Sequence, residues 1–446
     1  MKQIIQHILE IPFFRNILKL SVSSVVNMTI AIIVTPILSR IYSPEDYGEW
    51  GVFSSVVMIV TSFIFLSYEN AVVKETDKVK LPSIIYLCLT IATIIIGLTC
   101  SIFFIGRWLQ IAFFINFPSL TLLIIALCLS AIDILCSNIS NRYSRYNIMS
   151  IVGVVMGVSQ AGSRLVFGII PIAKGLILGN ILSIFLKVIL YLKNIKSVIK
   201  KDILRIASFK SIQSVAVDNK KFPLFDAPAR FVEFVIGNIV IIILSVYYDM
   251  TEIGCYSMIS QLVQIPLSLM GTSMSTVYFK DLSVVSTDRI KLKQLTFRTV
   301  RVCFFMSVLP AAFLAFGGDY LLVLFLGDKW ELAGQMSLCL AVFSIPVILS
   351  EPLLPIFKVL DKQDYRFWLN IANLIIAIGA LYCGIFLDYN VITALLLYSI
   401  GYAIVRFVMF WCQMKLSGVN LKDCSREICL IGLLYIILSF RLAIII

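Results

Sequence analysis

The sequence predicts an all-α polytopic membrane protein with about twelve transmembrane helices arranged in two six-helix lobes. Composition is the first reason, because 60% of the 446 residues are hydrophobic and only 14% are charged. Water-soluble domains have fewer hydrophobic and more charged residues. The second is that apolar runs of about twenty residues, enough to cross the hydrocarbon core as a helix, recur along the whole chain. They lack the sustained alternation of barrel strands, which favours helices.

An internal repeat is the third reason. The segment Ile37–Val57 reappears without a gap as Ile243–Val263, at a constant offset of 206 and with seven identical positions. Such self-similarity indicates a duplicated chain. Both copies of the hairpin turn are predicted on the same face of the membrane, so each half contains an even number of spans. We therefore expect two parallel lobes, related by an axis normal to the bilayer, that frame a cavity between them.

The individual spans follow from the apolar runs in chain order. Six precede the long polar stretch at 194–228 and six follow it, as the repeat requires. We place the spans at 16–38, 47–73, 81–105, 109–137, 148–170, 174–193, 229–248, 251–278, 296–316, 333–357, 367–387 and 392–413.

These spans divide the chain into four parts. Residues 1–193 form an N-terminal six-helix lobe, and residues 229–414 form a C-terminal six-helix lobe. The stretch 194–228 is a cytoplasmic basic linker, whose apolar residues near 195–206 have the spacing of an amphipathic helix on the inner leaflet. Residues 415–446 comprise a cytoplasmic segment and an extra hydrophobic helix, either a thirteenth span or an interfacial helix.

Positive charge predicts the orientation. If the spans alternate in direction, 25 lysines and arginines fall in loops on one side and four on the other. Because basic loops stay inside, we expect the N-terminus to be cytoplasmic. The net charge of +12 then faces anionic lipid headgroups rather than a nucleic acid, for which no motif is present.

Several enzyme classes are disfavoured. The single histidine, His7, provides neither a histidine metal site nor a catalytic triad, and no ATP-binding Walker A sequence occurs. The external loops are short, so there is no room for an external catalytic domain. We expect no enzymatic activity, no cofactor and no metal, and an energy supply from an ion gradient, substrate flux or downstream consumption.

Charged residues within or at the edges of spans are the main functional candidates, because an ionised group in a helix centre costs about 2.5–3.5 kcal/mol. Seven are cations and four are acids, which favours an anionic ligand; guanidinium groups bind phosphate by paired hydrogen bonds. Arg164 is distinctive because it lies in the outer half of its span. Asp133 is expected to meet a cation of a neighbouring span. The cations are Lys19, Arg164, Lys187, Arg230, Arg298, Arg301 and Arg406, and the acids are Glu69, Asp133, Glu233 and Glu351.

Amides and helix-bending residues complete the candidates. Amides within spans either bind sugar hydroxyls or join helices in lipid, and the sequence leaves both interpretations open. They are Asn27, Asn70, Asn238, Gln261 and Gln264. Three glycines in one span (Gly153, Gly157 and Gly162) predict a close helix approach, and prolines in four spans (Pro36, Pro266, Pro310 and Pro346) suit either helices that bend or static packing.

Several of these segments resemble the Wzx-type polysaccharide flippases of the MOP superfamily. The segment PILSRIYSPEDYGEWGVFSSVV, from Pro36, is similar to the opening hairpin of that family. KKFPLFDAPARF from Lys220, DMTEIGCYSMISQLVQIPLSLMGTSMSTVYFKDL from Asp249 and FLGDKWELAG from Phe325 match its second half. The resemblance covers nearly the whole chain, apart from the apolar stretch 428–446, which a twelve-span core does not need.

The resemblance implies a fold like that of MATE and other MOP transporters. It further implies transport of undecaprenyl-pyrophosphate-linked oligosaccharide, for O-antigen or related lipopolysaccharide, across a bacterial inner membrane by alternating access. A polysaccharide polymerase and a chain-length regulator would be partners. The family's cationic cavity would correspond to Lys19, Arg164, Arg230, Arg298, Arg301 and Arg406, and Asp133, Glu233 and Glu351 are candidates for ion coupling. The alternatives are a cation-coupled multidrug exporter of the same superfamily, which should have an acidic cavity, and a membrane glycosyltransferase, which should have a catalytic loop.

Overall fold

The computed structural model describes residues 12–75, 77, 79–198, 208–285, 288–387, 390–420 and 425–445, and its regular elements there are helices. Two compact units divide the chain, Met1–Ile242 and Ile243–Ile446. The division falls within one helix, so the predicted boundaries of the lobes and linker stay predictions. The all-helical class is confirmed.

The first unit is built around one central helix, α6, which contacts α2, α3, α4, α7 and α8. The side of α6 that carries Leu123, Leu127 and Ala131 is buried among these neighbours. The helices of this unit are α1 (Pro12–Ile41), α2 (Pro44–Phe63), α3 (Glu69–Lys74), α4 (Leu81–Trp108), α5 (Ala112–Ile115), α6 (Leu120–Arg142), α7 (Tyr146–Ile169), α8 (Gly175–Val198), α9 (Phe209–Asp218) and most of α10 (Ala227–Tyr247).

The second unit also surrounds a central helix. Along α14 nearly every residue from Ala333 to Ser350 is buried, because α11, α12, α13, α17 and α18 all pack against it. The helices of this unit are α11 (Met250–Val285), α12 (Arg289–Phe313), α13 (Asp319–Leu326), α14 (Glu331–Ser350), α15 (Pro355–Val359), α16 (Gln363–Phe386), α17 (Val391–Ser417) and α18 (Ser425–Ile445).

The sequence repeat is reproduced in the helix boundaries. Helix α1 ends at Ile41 and α2 begins at Pro44; 206 residues later, α10 ends at Tyr247 and α11 begins at Met250. The helix-start hydrogen bonds repeat as well. The Ser43 amide donates to Asp46 Oδ2 at 2.9 Å, and the equivalent Asp249 amide donates to Glu252 Oε2 at 3.1 Å. A carboxylate three residues into a helix satisfies an amide that lacks a helical acceptor.

Among the described residues, ten helical segments are long and apolar enough to cross a membrane. Helix α2, at predicted span two, is outside that set, and its first two turns contain Glu45, Asp46 and Glu49. The segment predicted as span two is interrupted after α2, where Leu66 and Ser67 have positive φ angles. The predicted span 109–137 is likewise divided, between α5 and α6.

Close packing of α1 on α7 confirms part of the glycine prediction. Asn27 Nδ2 donates to the Gly153 carbonyl at 3.1 Å, and a Cβ atom at Gly157 would collide with Asn27 Oδ1. Gly162 has no neighbour within 4 Å of a Cβ position, so the close approach does not extend to that turn. Small residues bring helix backbones together in lipid, where packing drives association.

The prolines bend the chain less than their number suggests. Pro36, Pro310 and Pro346 lie inside continuous helices. Beyond Pro346 the helix changes at Glu351 to a 3₁₀ turn that ends at Leu353. The irregular backbone thus occurs beside Glu351, five residues after Pro346.

The described part of the linker contains helix α9, which packs against α4 within the first unit. Tyr68 Oη donates to the Ala216 carbonyl at 3.1 Å, and Lys80 Nζ donates to Asp218 Oδ2 at 3.0 Å. The bond to Asp218 raises the pKa of Lys80. Helix α9 therefore packs beside the start of α4. The rest of the predicted amphipathic segment, residues 199–207, is outside the described residues.

The C-terminal apolar stretch forms helix α18, which packs lengthwise on the second unit. Tyr435 Oη donates to the Val342 carbonyl at 2.6 Å, midway along α14, and Arg441 Nη2 donates to Asp319 Oδ2 at 2.8 Å. Asp319 follows the far end of α12, whereas Ser425 lies soon after the end of α17. The 21 residues of α18 rise about 31 Å as a helix, but its described apolar part, Cys429–Ala443, is shorter than the candidate spans. A thirteenth span and an interfacial helix therefore both stay predictions.

Candidate functional site

Three ion pairs neutralise three of the seven predicted cations. Lys187 Nζ lies 2.7 Å from Asp133 Oδ2, which confirms the expected pairing of Asp133 with a neighbouring helix. Each pair joins residues at least 54 positions apart in the chain. The other two pairs are Arg230 with Glu69 and Arg406 with Glu351.

The Arg406 guanidinium is the most completely bonded of these cations. Its Nη1 donates to Glu351 Oε1 at 2.7 Å, and its Nη2 donates to Tyr402 Oη at 2.7 Å. Its Nε also contacts Tyr402 Oη, at 3.2 Å. An incoming anion would have to displace Glu351 to reach Arg406. In this arrangement, the residue stabilises the junction of α17 with the 3₁₀ turn.

Arg164, in the penultimate turn of α7, has a different environment. Its exposed fraction is only 6%, yet no acidic side chain pairs with it among the described residues. Both Nε and Nη2 are buried without a hydrogen-bond acceptor. Its backbone carbonyl accepts a hydrogen bond from Tyr42 Oη at 2.7 Å, and α8 packs against its side chain at Gly179. The backbone of α7 is therefore held in place while the guanidinium lacks a counterion.

An aromatic ring from the repeat covers this guanidinium. Arg164 Cζ lies 4.9 Å from the centroid of the Trp50 ring, and that ring is in edge contact with Tyr47. Trp50 Nε1 and Ser54 Oγ are also buried without hydrogen-bond partners. Ser54 is one helical turn after Trp50 on α2. Arg164 and Trp50 therefore place unsatisfied donors side by side, with Ser54 one turn further along α2. We call these three residues the Arg164 cluster.

The chemistry of the Arg164 cluster favours an anion. Burial of an unpaired charge is unfavourable by several kcal/mol. The cation–π contact with Trp50 offsets only about 0.5–2 kcal/mol of this penalty. The unsatisfied groups comprise three donor nitrogens and one hydroxyl. Guanidinium and indole nitrogens donate and do not accept. A phosphate or carboxylate oxygen is the complementary ligand.

The remaining predicted cations are Arg298, Arg301 and Lys19. Arg298 and Arg301 are exposed on α12, and the Arg301 guanidinium lies 5.0 Å from the Phe297 ring centroid. Lys19 belongs to α1, but its side chain is outside the described residues. Among the described residues, Arg164, Arg230 and Arg406 each contact a different partner: Trp50, Glu69 and Glu351.

The predicted amides occupy varied positions. Asn27 joins α1 to α7, and Asn238 Nδ2 donates to the Phe234 carbonyl one turn earlier at 2.9 Å. Asn70 is half-buried, and Gln261 and Gln264 are exposed. In this arrangement Asn27 supports the interpretation that amides join helices, and the sugar-binding role of all five stays a prediction.

Sequence reasoning did not identify two polar groups that the structure singles out. Trp50 was part of the repeat and showed no separate signal. Asn373 on α16 is buried, and neither atom of its amide has a partner; an amide within an apolar run was the only available signal. No group of three metal-ligating side chains occurs among the described residues.

Comparison with known sequences identifies a family. The model of the family described as "Polysaccharide biosynthesis protein" matches residues 37–335, about two thirds of the chain. Comparison with curated proteins finds no match.

Comparison with solved structures identifies the fold. A lipid II flippase, MurJ, in an inward closed conformation superposes with a TM-score of 0.69 at 14% identity, covering 94% of this chain and 97% of MurJ. An inward-facing multidrug resistance MATE family transporter of the MOP superfamily gives 0.61 at 15% identity, covering 90% and 98%. A MOP superfamily transporter from Pyrococcus furiosus gives 0.56 at 15% identity, covering 90% and 95%. At these identities the likeness concerns the fold.

Proposed function

Because this chain belongs to the polysaccharide biosynthesis protein family and has the fold of MOP superfamily transporters, we propose that it is a flippase for lipid-linked oligosaccharides. The family description supplies the pathway, polysaccharide biosynthesis. The fold supports transport rather than catalysis, since the similar structures are a flippase and transporters. Together they favour a membrane step that moves a glycan precursor.

The specific substrate in this proposal is an undecaprenyl-pyrophosphate-linked repeat unit of O-antigen or a related surface polysaccharide. The protein would move it from the cytoplasmic to the outer leaflet of a bacterial inner membrane by alternating access, with its N-terminus in the cytoplasm. A polymerase and a chain-length regulator would then act on the product. The basic loops and the sequence resemblance support this assignment.

The Arg164 cluster is the observation that carries the proposal. A neutral substrate would leave the buried Arg164 guanidinium uncompensated, whereas a pyrophosphate or an acidic sugar would accept from its free N–H groups. The exposed Arg298 and Arg301 side chains add cationic charge on α12. A multidrug exporter for cationic compounds would gain nothing from this surplus of positive charge.

Other residues take subordinate roles in the proposal. Lys19, Arg230 and Arg406 would contribute further cations, the latter two after exchange of their carboxylate partners for substrate oxygens. Asp133, Glu233 and Glu351 remain the candidates for coupling to protons or sodium. Asn70, Asn238, Gln261 and Gln264 would bind sugar hydroxyls.

Deletion of the gene tests the proposal directly. In a strain without a second flippase, deletion should trap single lipid-linked repeat units on the cytoplasmic leaflet and remove surface polysaccharide. Complementation with the wild-type chain should restore both. Normal surface polysaccharide in the deletion strain would refute the proposal, and a change confined to drug susceptibility would favour the multidrug exporter.

A further inference from the structure

A second candidate site lies in the second unit, where α13 folds back on the start of α14. A cavity of about 400 Å³ opens there, which is within the size range of small-ligand sites. It lies between predicted spans nine and ten, so the predicted orientation puts it on the outer side of the membrane. The polar and aromatic side chains that line it are Asp319, Tyr320, Asp328, Glu331 and Gln335.

A tight turn holds the two helices together. Gly327 has a φ angle of 106°, which glycine adopts without steric strain, and the buried Trp330 belongs to the 3₁₀ turn that follows. A Cβ atom at Gly334 would lie 3.0 Å from the Asp319 carbonyl oxygen. Glycine at this position therefore lets α14 approach α13, and Gly334 itself lines the cavity.

Asp319 is a buried wall of the cavity with one unused acceptor. Its exposed fraction is 6%. Its Oδ2 accepts from Arg441 Nη2 of α18 at 2.8 Å, whereas its Oδ1 has no hydrogen-bond partner among the described residues. A buried acceptor without a donor is unfavourable. A hydroxyl donor in the cavity would therefore stabilise this side chain.

The remaining lining offers more acceptors and one aromatic face. Asp328 and Glu331 are exposed, and carboxylates only accept hydrogen bonds. Gln335, one turn after Glu331, is half-buried and can donate as well as accept. The Tyr320 ring is exposed, and the Arg441 guanidinium lies 5.3 Å from its centroid. The cavity therefore combines an excess of acceptors with an aromatic surface that α18 supports.

This combination discriminates among classes of ligand. Phosphate and carboxylate groups would be repelled by Asp328 and Glu331. A metal ion would need several oxygen ligands close together, and no group of three metal-ligating side chains occurs in the part of the chain that the structure describes. A neutral sugar presents hydroxyl donors around its ring and C–H groups on its faces. Those features match the acceptors and the Tyr320 ring.

We propose that this cavity binds a neutral sugar residue, whose hydroxyl groups donate to Asp328 and Glu331 and whose ring face lies against Tyr320. Because this role rests on the proposed transport of lipid-linked oligosaccharides, the sugar would belong to the glycan that arrives on the outer side. An acidic sugar is disfavoured there by like charge, whereas the Arg164 cluster favours an anion. The two sites thus differ in the charge of the group that they accept.

Ligand-observed NMR of the full-length protein in lipid nanodiscs, which avoid sugar-based detergents, tests the site. The probes are the neutral trisaccharides maltotriose and chitotriose and the acidic trigalacturonate. We expect the wild-type chain to bind a neutral trisaccharide and to bind trigalacturonate roughly tenfold more weakly. Y320L should weaken neutral-sugar binding about two- to tenfold. F386L, which removes another exposed ring at the end of α16, should bind as the wild type does.

A second pair of variants separates a sugar from a cation. D328A/E331A removes the acceptors and should lower the affinity for the neutral trisaccharide roughly tenfold, whereas D328N/E331Q keeps oxygen acceptors and should recover most of it. Calorimetry with Ca²⁺ alone would be run in parallel. The proposal would be overturned by an absence of neutral-sugar binding, by equal losses in Y320L and F386L, or by Ca²⁺ binding that D328N/E331Q abolishes.

The outcomes for this site and for the proposed function are distinguishable. Sugar binding is measured without transport, so its absence in a protein that still restores surface polysaccharide to the deletion strain would remove the site alone. Sugar binding by a chain whose deletion leaves surface polysaccharide normal would refute the proposed function instead.

Discussion

Replacement of Arg164 by methionine separates a binding role from a structural one. Methionine fills much of the same apolar volume but removes the buried charge. Loss of the contact with Trp50 lowers the free energy of unfolding by about 0.5–2 kcal/mol. Removal of a buried charge that has no partner raises it by several kcal/mol. The variant should therefore be as stable as the wild type or more stable. This expectation depends on the absence of an acidic partner for Arg164 among the described residues.

Transport should respond in the opposite direction. Each charge-assisted hydrogen bond from Arg164 to an anionic substrate contributes about 1.5–3 kcal/mol, so two lost donors weaken binding on the order of 10²- to 10⁴-fold. Surface polysaccharide should fall to near the level of the deletion strain. The assay is complementation of that strain, with membrane abundance and the apparent melting temperature of the purified protein measured in parallel.

Arg406 provides the matched control, since it is a largely buried arginine that has a carboxylate partner. R406M leaves the half-buried Glu351 carboxylate without its cation and should lower the melting temperature, because an uncompensated charge in a partly buried site is destabilising. If R164M exported polysaccharide at the wild-type level and normal abundance, Arg164 would not bind substrate. If R164M melted as low as R406M, its role would be packing.

The sequence was sufficient for the architecture because lipid imposes strong rules. Apolar run lengths predicted the helices, and the repeat predicted boundaries that recur at the same offset, including the paired carboxylates Asp46 and Glu252. The position of Arg164 near the end of α7 followed from its place within an apolar run. These features depend on local sequence and on membrane thickness.

Tertiary pairing was harder to predict. Glu69 and Arg230 are 161 positions apart, and no local pattern indicates that the break after α2 brings them together. Trp50 could not be recognised as the cover of Arg164, because aromatic residues near helix starts are common in membrane proteins. The docking of α9 likewise depends on contacts with α4 that composition does not reveal.

The remaining predictions concern packing and topology. The double variant E351M/R406M should recover much of the stability that R406M loses, as measured by melting temperature, since both charges of the pair are removed together; no recovery would show that the pair does not couple. G157A should lower stability because its Cβ would collide with Asn27 Oδ1, whereas G162A, which meets open space, should not; equal melting temperatures would contradict the packing. A cysteine fused after residue 446 should react with an impermeant thiol reagent in intact spheroplasts if α18 crosses the membrane, and protection until lysis would show that it does not.

The most direct test of transport uses the purified protein in vesicles. Liposomes with and without the chain would receive an undecaprenyl-pyrophosphate-linked fluorescent oligosaccharide in both leaflets, and a membrane-impermeant reagent that destroys the fluorophore would report how much of it reaches the outside. With the wild-type protein, the signal should fall below the half that protein-free vesicles retain, and with R164M it should stay at that half. Equal protection in wild-type and protein-free vesicles, under every ion gradient supplied, would contradict the proposed flippase.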